Sequence, residues 1–301
     1  MAHERHEDIM LTPVLLGQII INGISLGAIY ILIALGFTLL FGIMRVVNFA
    51  HGAFAMLGGY ALYYLYGEWH VPYLAAVPAA ALAVAALGMV LEVAVFRWFY
   101  QKMLQSMIGL LGLNLVIVYT AVLVWDVYER SIPPAVTASF SVAGLLLSAD
   151  RLTIIAITIA VLAAFWLFMT HTRYGLAMRA ASQDIEMAEA QGVNTTTIYG
   201  LAFFIAIFMT ALAGGLYAQT YSLSPFVGDR PLMIAFVVVI LGGMGSIPGA
   251  AIGGLLLGLS QSFLSSLYGA SVSDFASFGI VILLLIFRPW GLLGTKETVR
   301  A

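Results

Sequence analysis

Arg45, Asn48 and His51 lie within seven residues of one another, in the stretch "RVVNFAHG", between two long apolar runs. Asn48 is of a type that caps helices, so it can start a helix that carries His51. The free backbone N–H groups at such a start form a weak site for a carboxylate. The plainer interpretation is that Arg45 anchors the chain at the cytoplasmic membrane face, Asn48 is only a cap and His51 is a hydrogen-bonded packing residue. We expect both Asn48 and His51 to face away from lipid, where their polar groups would lack partners.

A second interruption, "LGGMGSIPGAAIGG" at residues 241–254, divides another apolar run. Transporters built from repeats often interrupt one helix in each half, which exposes backbone groups and helix ends to the solute path. The alternative is that Gly245, Gly249 and Gly253, spaced by four, form a helix-packing seam. No clear residue-level repeat relates the two interruptions. The residues predicted to line a translocation path or gate are Arg45, Asn48, His51, Gly52, Gly243 and Gly245.

The composition indicates a membrane protein. Of the 301 residues, 62% are hydrophobic and 9% are charged, whereas soluble domains carry about 25% charged residues. We predict an all-α, polytopic transmembrane bundle of about 8–10 spans, with broken helices and a cytoplasmic helix, that forms a single domain over residues 1–301. The predicted helices cover residues 14–43, 49–66, 72–96, 104–126, 151–170, 198–222, 232–247, 250–268 and 275–289. The first run is long enough to be tilted or broken.

The positions of Lys and Arg predict the orientation. If the polar segment 171–197 is cytoplasmic, eight Lys and Arg residues lie inside and four lie outside, as the positive-inside rule favours. The C-terminus is then cytoplasmic and the N-terminus periplasmic. The predicted external loop, residues 127–150, ends in an alternating stretch that is typical of a short hairpin.

The cytoplasmic segment 171–197, which we call the coupling loop, has its own pattern. It is rich in alanine and acidic residues, which favours a short helix, and Gly192 can end that helix. The plainer interpretation is an amphipathic loop helix that rests on the membrane face. The residues singled out in it are Arg179, Asp184, Glu186, Ala188 and Gly192.

Several classes of function are excluded or disfavoured. Neither of the two lysines, Lys102 and Lys296, lies in a phosphate-binding loop, so the sequence has no ATP-binding motif of the P-loop type. Carboxylates within spans, which proton-driven carriers use, are sparse, and Glu92 is best explained as an interface ion pair with Arg97. The chain has no cysteine, and we predict neither a metal site nor catalytic residues.

Five stretches resemble known permeases. "EMA" at 186–188, followed by Gly192, resembles the coupling-helix motif of ABC importer permeases. "NGISLGAIYILIALGFTLLFGIMRVVNFAHGAFAMLGGY" (22–60), "TRYGLAMRAASQDIEMAEAQGVN" (172–194), "LGGMGSIPGAAIGGLLLG" (241–258) and "LLLIFRPWGLLG" (283–294) resemble, in order, the branched-chain amino acid permease family of the LivH type. The middle, 61–170, departs from the family pattern: "WFYQKM" replaces a proline-containing element and "MIGLLG" a threonine-containing one. If those positions touch substrate, the solute differs from leucine, isoleucine or valine.

The resemblance implies the membrane subunit of an ATP-driven importer in the bacterial inner membrane. A second homologous permease would complete the path, two cytoplasmic ATPase subunits would bind ATP, and a periplasmic solute-binding protein would deliver branched-chain or other hydrophobic amino acids or a related small solute. The resemblance also implies contact with membrane lipid. It implies neither a cofactor bound by the chain itself nor a nucleic acid partner. The alternative is a stand-alone channel or secondary carrier for a small polar solute.

Overall fold

The computed structural model describes residues 13–99, 102–136, 138–142 and 145–294. Within these ranges the chain forms α-helices and one antiparallel hairpin, as the predicted helical bundle with an external hairpin requires. The helices are α1 Pro13–Met44, α2 His51–Leu62, α3 Tyr73–Ala94, α4 Met103–Trp125, α5 Ala149–His171, α6 Arg173–Gln183, α7 Ile185–Ala190, α8 Thr195–Thr220, α9 Asp229–Gly242, α10 Ile247–Tyr268 and α11 Ala270–Phe287. The hairpin pairs β1 Ser139–Val142 with β2 Leu145–Ser148. A π-helical turn, Tyr63–Glu68, extends α2, and a 3-10 turn, Phe96–Phe99, follows α3.

Seven helices in the described part of the chain are long and apolar enough to cross a membrane: α1, α3, α4, α5, α8, α10 and α11. The other two predicted spans, 49–66 and 232–247, correspond to the shorter helices α2 and α9, of 12 and 14 residues. Each of these short helices borders one of the two interruptions. The protein is therefore a multi-pass membrane protein, and α2, which the π-helical turn prolongs to Glu68, and α9 lie outside the set of long, strongly apolar helices.

The first predicted span is one continuous helix. α1 runs for 32 residues without a break, and at 1.5 Å per residue it is about 48 Å long. That exceeds the roughly 30 Å of a hydrocarbon core, so α1 must tilt or project beyond it. The break lies after α1, at Arg45, where the helical hydrogen bonding stops. Two later helices, α8 and α11, begin three and five residues before their predicted starts.

α1 and α8 form the centre of the bundle. Consecutive residues of α1, including Tyr30, Ile33 and Ala34, are completely buried, so every side of this helix is covered. α1 packs against α8, α9, α10 and α5, while α8 also contacts α2 and α3. α4 and α11, in contrast, are peripheral, and Leu123 and Phe287 on them are almost fully exposed. Their apolar outer faces suit contact with lipid.

Small residues allow the central helices to approach closely. A Cβ added at Gly58 would lie 2.0 Å from the carbonyl oxygen of Ala211, and one added at Gly214 would lie 2.0 Å from that of Ala55. α2 and α8 therefore touch backbone to backbone along a seam of small residues, the usual device for packing helices in membranes. A side chain at either glycine would separate the two helices.

The hairpin confirms the alternating pattern predicted in residues 127–150. Ser139 pairs with Ser148 and Val142 with Leu145. The loop before the hairpin is fixed to the rest of the bundle, because the backbone N–H and C=O of Arg130 both bond to Leu223 at 2.8 Å. This loop is therefore an ordered cap on one end of the bundle.

Candidate functional site

The first interruption is a six-residue break between α1 and α2. Residues 45–50 are not helical, and α2 resumes at His51. Arg45, the first of the six, has a left-handed backbone with φ of 52°, the conformation that commonly ends a helix. An arginine there carries a steric cost that glycine would avoid. Its side chain is exposed, as expected for an anchor at a membrane face.

Asn48 is buried, and it does not cap α2 as predicted. Its Oδ1 accepts a hydrogen bond from the backbone N–H of Ala50 at 3.0 Å, whereas α2 has Ala50 as its N-cap with no side-chain bond. The difference arises because an asparagine readily bonds its own backbone two residues on, which forms a turn rather than a cap. Among the described residues, none forms a hydrogen bond with the Nδ2 of Asn48, although Asn48 is only 2% exposed.

A small cavity lies against Asn48. It has a volume of about 60 Å³ and space for water. Its walls come from five parts of the chain: the end of α1, the first break, the turn after α3, α4 and α8. The lining residues are Leu40, Met44, Val46, Asn48, Phe96, Ser106, Leu110, Tyr199 and Phe203. Ser106 and Leu110 belong to the middle region that departs from the family pattern. The polar groups of the break thus lie next to a region where the sequence analysis expects a departure from the family pattern.

His51 lies in the packed interior and does not line that cavity. It is completely buried, with Nε2 3.0 Å from the carbonyl oxygen of Ile33 and 3.1 Å from Oγ1 of Thr210. The ring of Phe37 meets it edge to face, with 5.4 Å between centroids. His51 therefore ties α2 to α1 and α8, which agrees with the packing interpretation of this residue.

Gly52 marks a close backbone crossing. A Cβ at this position would lie 2.3 Å from the carbonyl oxygen of Gly228, which immediately precedes α9. Glycine is needed at both sites because any side chain would collide with main-chain atoms. The start of α2 is thereby held against the start of α9.

The second interruption is a glycine joint between α9 and α10. Gly243 and Gly245 both have positive φ, 102° and 80°. Ser246 then caps α10, since its Oγ accepts a hydrogen bond from the N–H of Gly249 at 3.1 Å. Gly249 packs against Gly242 at the end of α9, as the seam interpretation of these glycines expects.

The C-terminal stretch "RPWGLLG" completes this joint. The N–H groups of Leu292 and Leu293 bond to the carbonyl oxygens of Leu241 and Gly242, at 2.8 and 3.0 Å. These carbonyls belong to the last turn of α9 and have no partner within the helix. Two of the blocks on which the family resemblance depends therefore form one structural unit.

The two interruptions meet. A Cβ added at Gly42, at the end of α1, would lie 3.7 Å from the Cα of Gly245. The ring of Phe236 in α9 packs between Phe37 and Phe49, with centroid distances of 4.8 and 5.9 Å. Segments about 200 residues apart in the sequence thus end at the same place in the bundle.

The coupling loop forms two helices instead of one. α6 ends before Asp184, whose Oδ1 caps α7 by accepting from the N–H of Met187 at 3.0 Å. Gly192 has φ of 84° and open space around it, so it makes the sharp exit that the sequence predicts. Ala188 is buried, because its face of α7 packs against the bundle. Arg179, Asp184, Glu186 and Gly192 are exposed, and so is Met187, which the sequence analysis did not single out.

Two ion pairs lie outside these segments. Glu92 and Arg97 form the predicted pair, with 3.6 Å between Oε2 and the guanidinium nitrogen. Arg230 and Asp274 form a second pair at 2.6 Å, which joins α9 to α11. The second pair escaped the sequence analysis because its members are 44 residues apart and share no motif.

Broken helices whose ends meet inside a multi-pass bundle are typical of membrane transport proteins. A family model described as "Branched-chain amino acid transport system / permease component" matches residues 19–287. The chain belongs to this permease family, so it is a transport component rather than a catalytic enzyme, and the resemblance seen in its sequence blocks is confirmed.

Curated relatives agree along nearly the whole length. The high-affinity branched-chain amino acid transport system permease protein BraD of Pseudomonas aeruginosa is 34% identical over 295 residues, which cover 93% of this chain and 96% of the relative. LivH of Escherichia coli K12, with the same description, is 30% identical over 298 residues, with the same coverage. The ribose import permease RbsC of Bacillus subtilis is 28% identical over 128 residues, 40% of each chain. No solved structure matches the chain.

Proposed function

We propose that this chain is the membrane subunit of an ATP-driven importer for branched-chain or other hydrophobic amino acids or a related small solute. It would form half of the translocation path beside a second homologous permease. Two cytoplasmic ATPase subunits would supply the energy, and a periplasmic binding protein would deliver the solute. The observation that carries the proposal is similarity over 93% of the chain to permeases named for high-affinity branched-chain amino acid transport.

The meeting point of the two interruptions is the proposed gate. Helix ends and turns there can change their relative angles without unwinding a whole span, because the helical hydrogen bonding is already interrupted. Asn48 supplies a buried amide donor that has no partner in the described part of the chain, at the adjacent cavity. A passing solute carboxylate or carbonyl would satisfy that donor.

The solute remains open within this class. Ser106 and Leu110 line the cavity beside Asn48, and both belong to the region where the sequence departs from the family pattern. Substitution of these residues by those of a leucine-transporting relative would therefore alter the relative uptake of different amino acids, if the cavity lies on the path.

The exposed face of α7 is the proposed contact with an ATPase subunit. Glu186 and Met187 project from it, and Gly192 returns the chain to α8. Ala188 would act from within, because its small buried side chain lets α7 lie close to the bundle. This arrangement requires the coupling loop and the C-terminus to be cytoplasmic in the bacterial inner membrane, with the N-terminus periplasmic.

The experiment is uptake of labelled leucine into vesicles that contain this chain, its second permease and its ATPases, with the binding protein outside. We expect uptake only with ATP and the complete set. Uptake by this chain alone, without ATP, would favour the channel or carrier alternative. Gly192→Trp should preserve ATP hydrolysis but uncouple it from uptake. Gly279→Trp, in open space on α11, is the matched control and should keep the two coupled.

A further inference from the structure

A polar cluster surrounds the Arg230–Asp274 pair, at the end of α9 opposite the second interruption. Twelve residues separate Arg230 from Gly242, so the pair lies about 18 Å along the helix from the glycine joint. Oδ1 of Asp274 accepts hydrogen bonds at 2.6 Å from both Arg230 and the Nε2 of Gln261. The hydroxyl of Tyr30 donates in turn to the side-chain oxygen of Gln261. Two charged and two neutral polar side chains, from four helices, are thus joined in one network.

A cavity of about 250 Å³ adjoins this network. Three charged residues, Asp229, Arg230 and Asp274, line the cavity, and most of the remaining walls are apolar. The residues that matter here are Arg230 and Asp274 at the charged end, and Met233, Val237, Leu257 and Phe278 on the apolar walls. A cavity with opposite charges together at one end and aliphatic or aromatic walls beyond them has the complementary chemistry of a hydrophobic α-amino acid.

The charged end of the cavity is open. The side chains of Arg230 and Asp274 are 39% and 41% exposed, and charged groups at membrane depth face a water-filled cavity or another protein rather than lipid. The positive-inside pattern places this end outside the cytoplasm. The cavity therefore opens on the side from which an importer receives its solute.

We propose that this cavity binds the incoming amino acid, with its carboxylate on Arg230, its ammonium group on Asp274 and its side chain against the apolar walls. The inference rests on the proposed transport function and names where the solute enters. Gln261 and the ring face of Tyr221, 5.5 Å from the Arg230 guanidinium, are positioning residues that hold the two charged groups while the solute replaces their direct contact.

The charge balance explains why a zwitterion fits. When it separates Arg230 from Asp274, each charge of that pair still has an opposite partner, and the exchange leaves Asp229, the third charged residue of the lining, as it was. A carboxylate without an amino group would leave Asp274 unpaired, and an amino acid amide would leave Arg230 unpaired. An unpaired, partly buried charge costs far more than an exchanged pair, so the site discriminates against both analogues.

Uptake of leucine by the complete transporter in vesicles tests the two charges. Arg230→Gln and Asp274→Asn should each lower uptake at least about tenfold, because each removes a charge-assisted hydrogen bond to the solute. The exchange of both residues, Arg230→Asp with Asp274→Arg, restores the pair but reverses its direction, so uptake should stay low while the assembled complex regains stability. Glu129→Gln, which removes a charge from the exposed loop 127–136, is the control and should transport normally.

The outcomes separate the two proposals. If the unmodified complex does not take up leucine, the proposed function fails. The inference is wrong if the unmodified complex takes up leucine and the single variants take it up equally well. It is also wrong if the exchanged pair restores uptake, because the two charges would then only stabilise the fold. Arg230→Lys keeps a charge for assembly but loses the planar fork that a carboxylate prefers, and we expect reduced uptake from it too.

Analogue binding and wall substitutions give an independent readout. In saturation-transfer NMR with the membrane complex in nanodiscs, leucine should receive saturation from the protein. Isocaproate, which lacks the amino group, and leucinamide, which lacks the carboxylate, should reduce that signal only weakly. Met233→Trp should lower the ratio of leucine to valine uptake, because the indole shortens the cavity. Ile282→Trp, on an exposed part of α11, should leave that ratio unchanged. Equal competition by all three ligands, or an unchanged ratio in Met233→Trp, would contradict the site.

Discussion

The two interruptions end at the same place in the bundle but differ in construction. In the first, side chains define the structure: Arg45 adopts a left-handed backbone, Asn48 turns inward and His51 bonds to two other helices. In the second, backbone contacts define it, and Gly243 has no room for a side chain because a Cβ would lie 2.4 Å from the backbone nitrogen of Gly294. Side chains in the first break can therefore be replaced without moving the backbone, whereas the second break is a joint that only glycine permits.

Gly243→Ala should have the largest effect. The substitution combines a left-handed backbone with a collision against main-chain atoms, so we expect a loss of at least about 3 kcal/mol of stability. Thermal unfolding of the purified protein in detergent measures it. Gly279→Ala, in open space on α11, is the matched control and should unfold like the native protein. Equal behaviour of the two variants would contradict the idea of a backbone joint.

His51→Ala should have the next largest effect, on stability. It removes a completely buried ring and leaves a cavity among α1, α2 and α8, at a cost of about 2–4 kcal/mol. The same thermal measurement applies, and uptake per folded molecule should fall less than the amount of folded protein does. A variant with native stability but no transport would instead assign His51 to the solute path.

Asn48→Ala should, in contrast, lower uptake more than it lowers stability. Only one hydrogen bond, to Ala50, is lost within the protein, so stability should fall by about 1 kcal/mol. Uptake should fall several-fold, because the amide donor at the cavity is removed. Uptake is compared at equal amounts of the assembled complex, with Thr38→Ala, at another buried polar residue, as the control. Native uptake in the Asn48 variant would remove this residue from the proposed gate.

Arg45→Gly should have the smallest effect and the opposite sign. Glycine adopts the left-handed conformation without steric cost, so stability should rise by about 1 kcal/mol. The thermal midpoint is the measurement, and a Gly at Val46, which needs no positive φ, should lower it. A lower midpoint for Arg45→Gly would mean that the arginine side chain contributes more than its backbone costs.

Much of the fold follows from the sequence, because long apolar runs between polar loops have few alternatives in a membrane. The helices α3, α4 and α5 lie within a few residues of their predicted positions. The run 232–268 is divided within the predicted interruption, but the break falls at residues 243–246, a few residues before the predicted boundary between 247 and 250. The helix of the coupling loop was predicted, but its division at Asp184 was not, because alanine propensity hides a local cap.

The arrangement of the site was less predictable. The meeting of Gly42 with Gly245 depends on how α1 packs against α10, and no local pattern encodes that contact. The inward turn of Asn48 depends on a competition between two local hydrogen-bonding modes of one residue type. The Arg230–Asp274 pair looks like two ordinary loop charges until the fold brings α9 and α11 together.

The docking of residues 292 and 293 on the end of α9 has a consequence for biosynthesis. The carbonyls of Leu241 and Gly242 receive these partners only after about 50 further residues have left the ribosome, which takes several seconds at roughly 5–20 residues per second. During that interval the last carbonyl groups of α9 lack these hydrogen-bond partners, and unpaired carbonyl groups in or near the bilayer are costly. The joint between α9 and α10 is therefore completed last in synthesis, by the short "RPWGLLG" stretch.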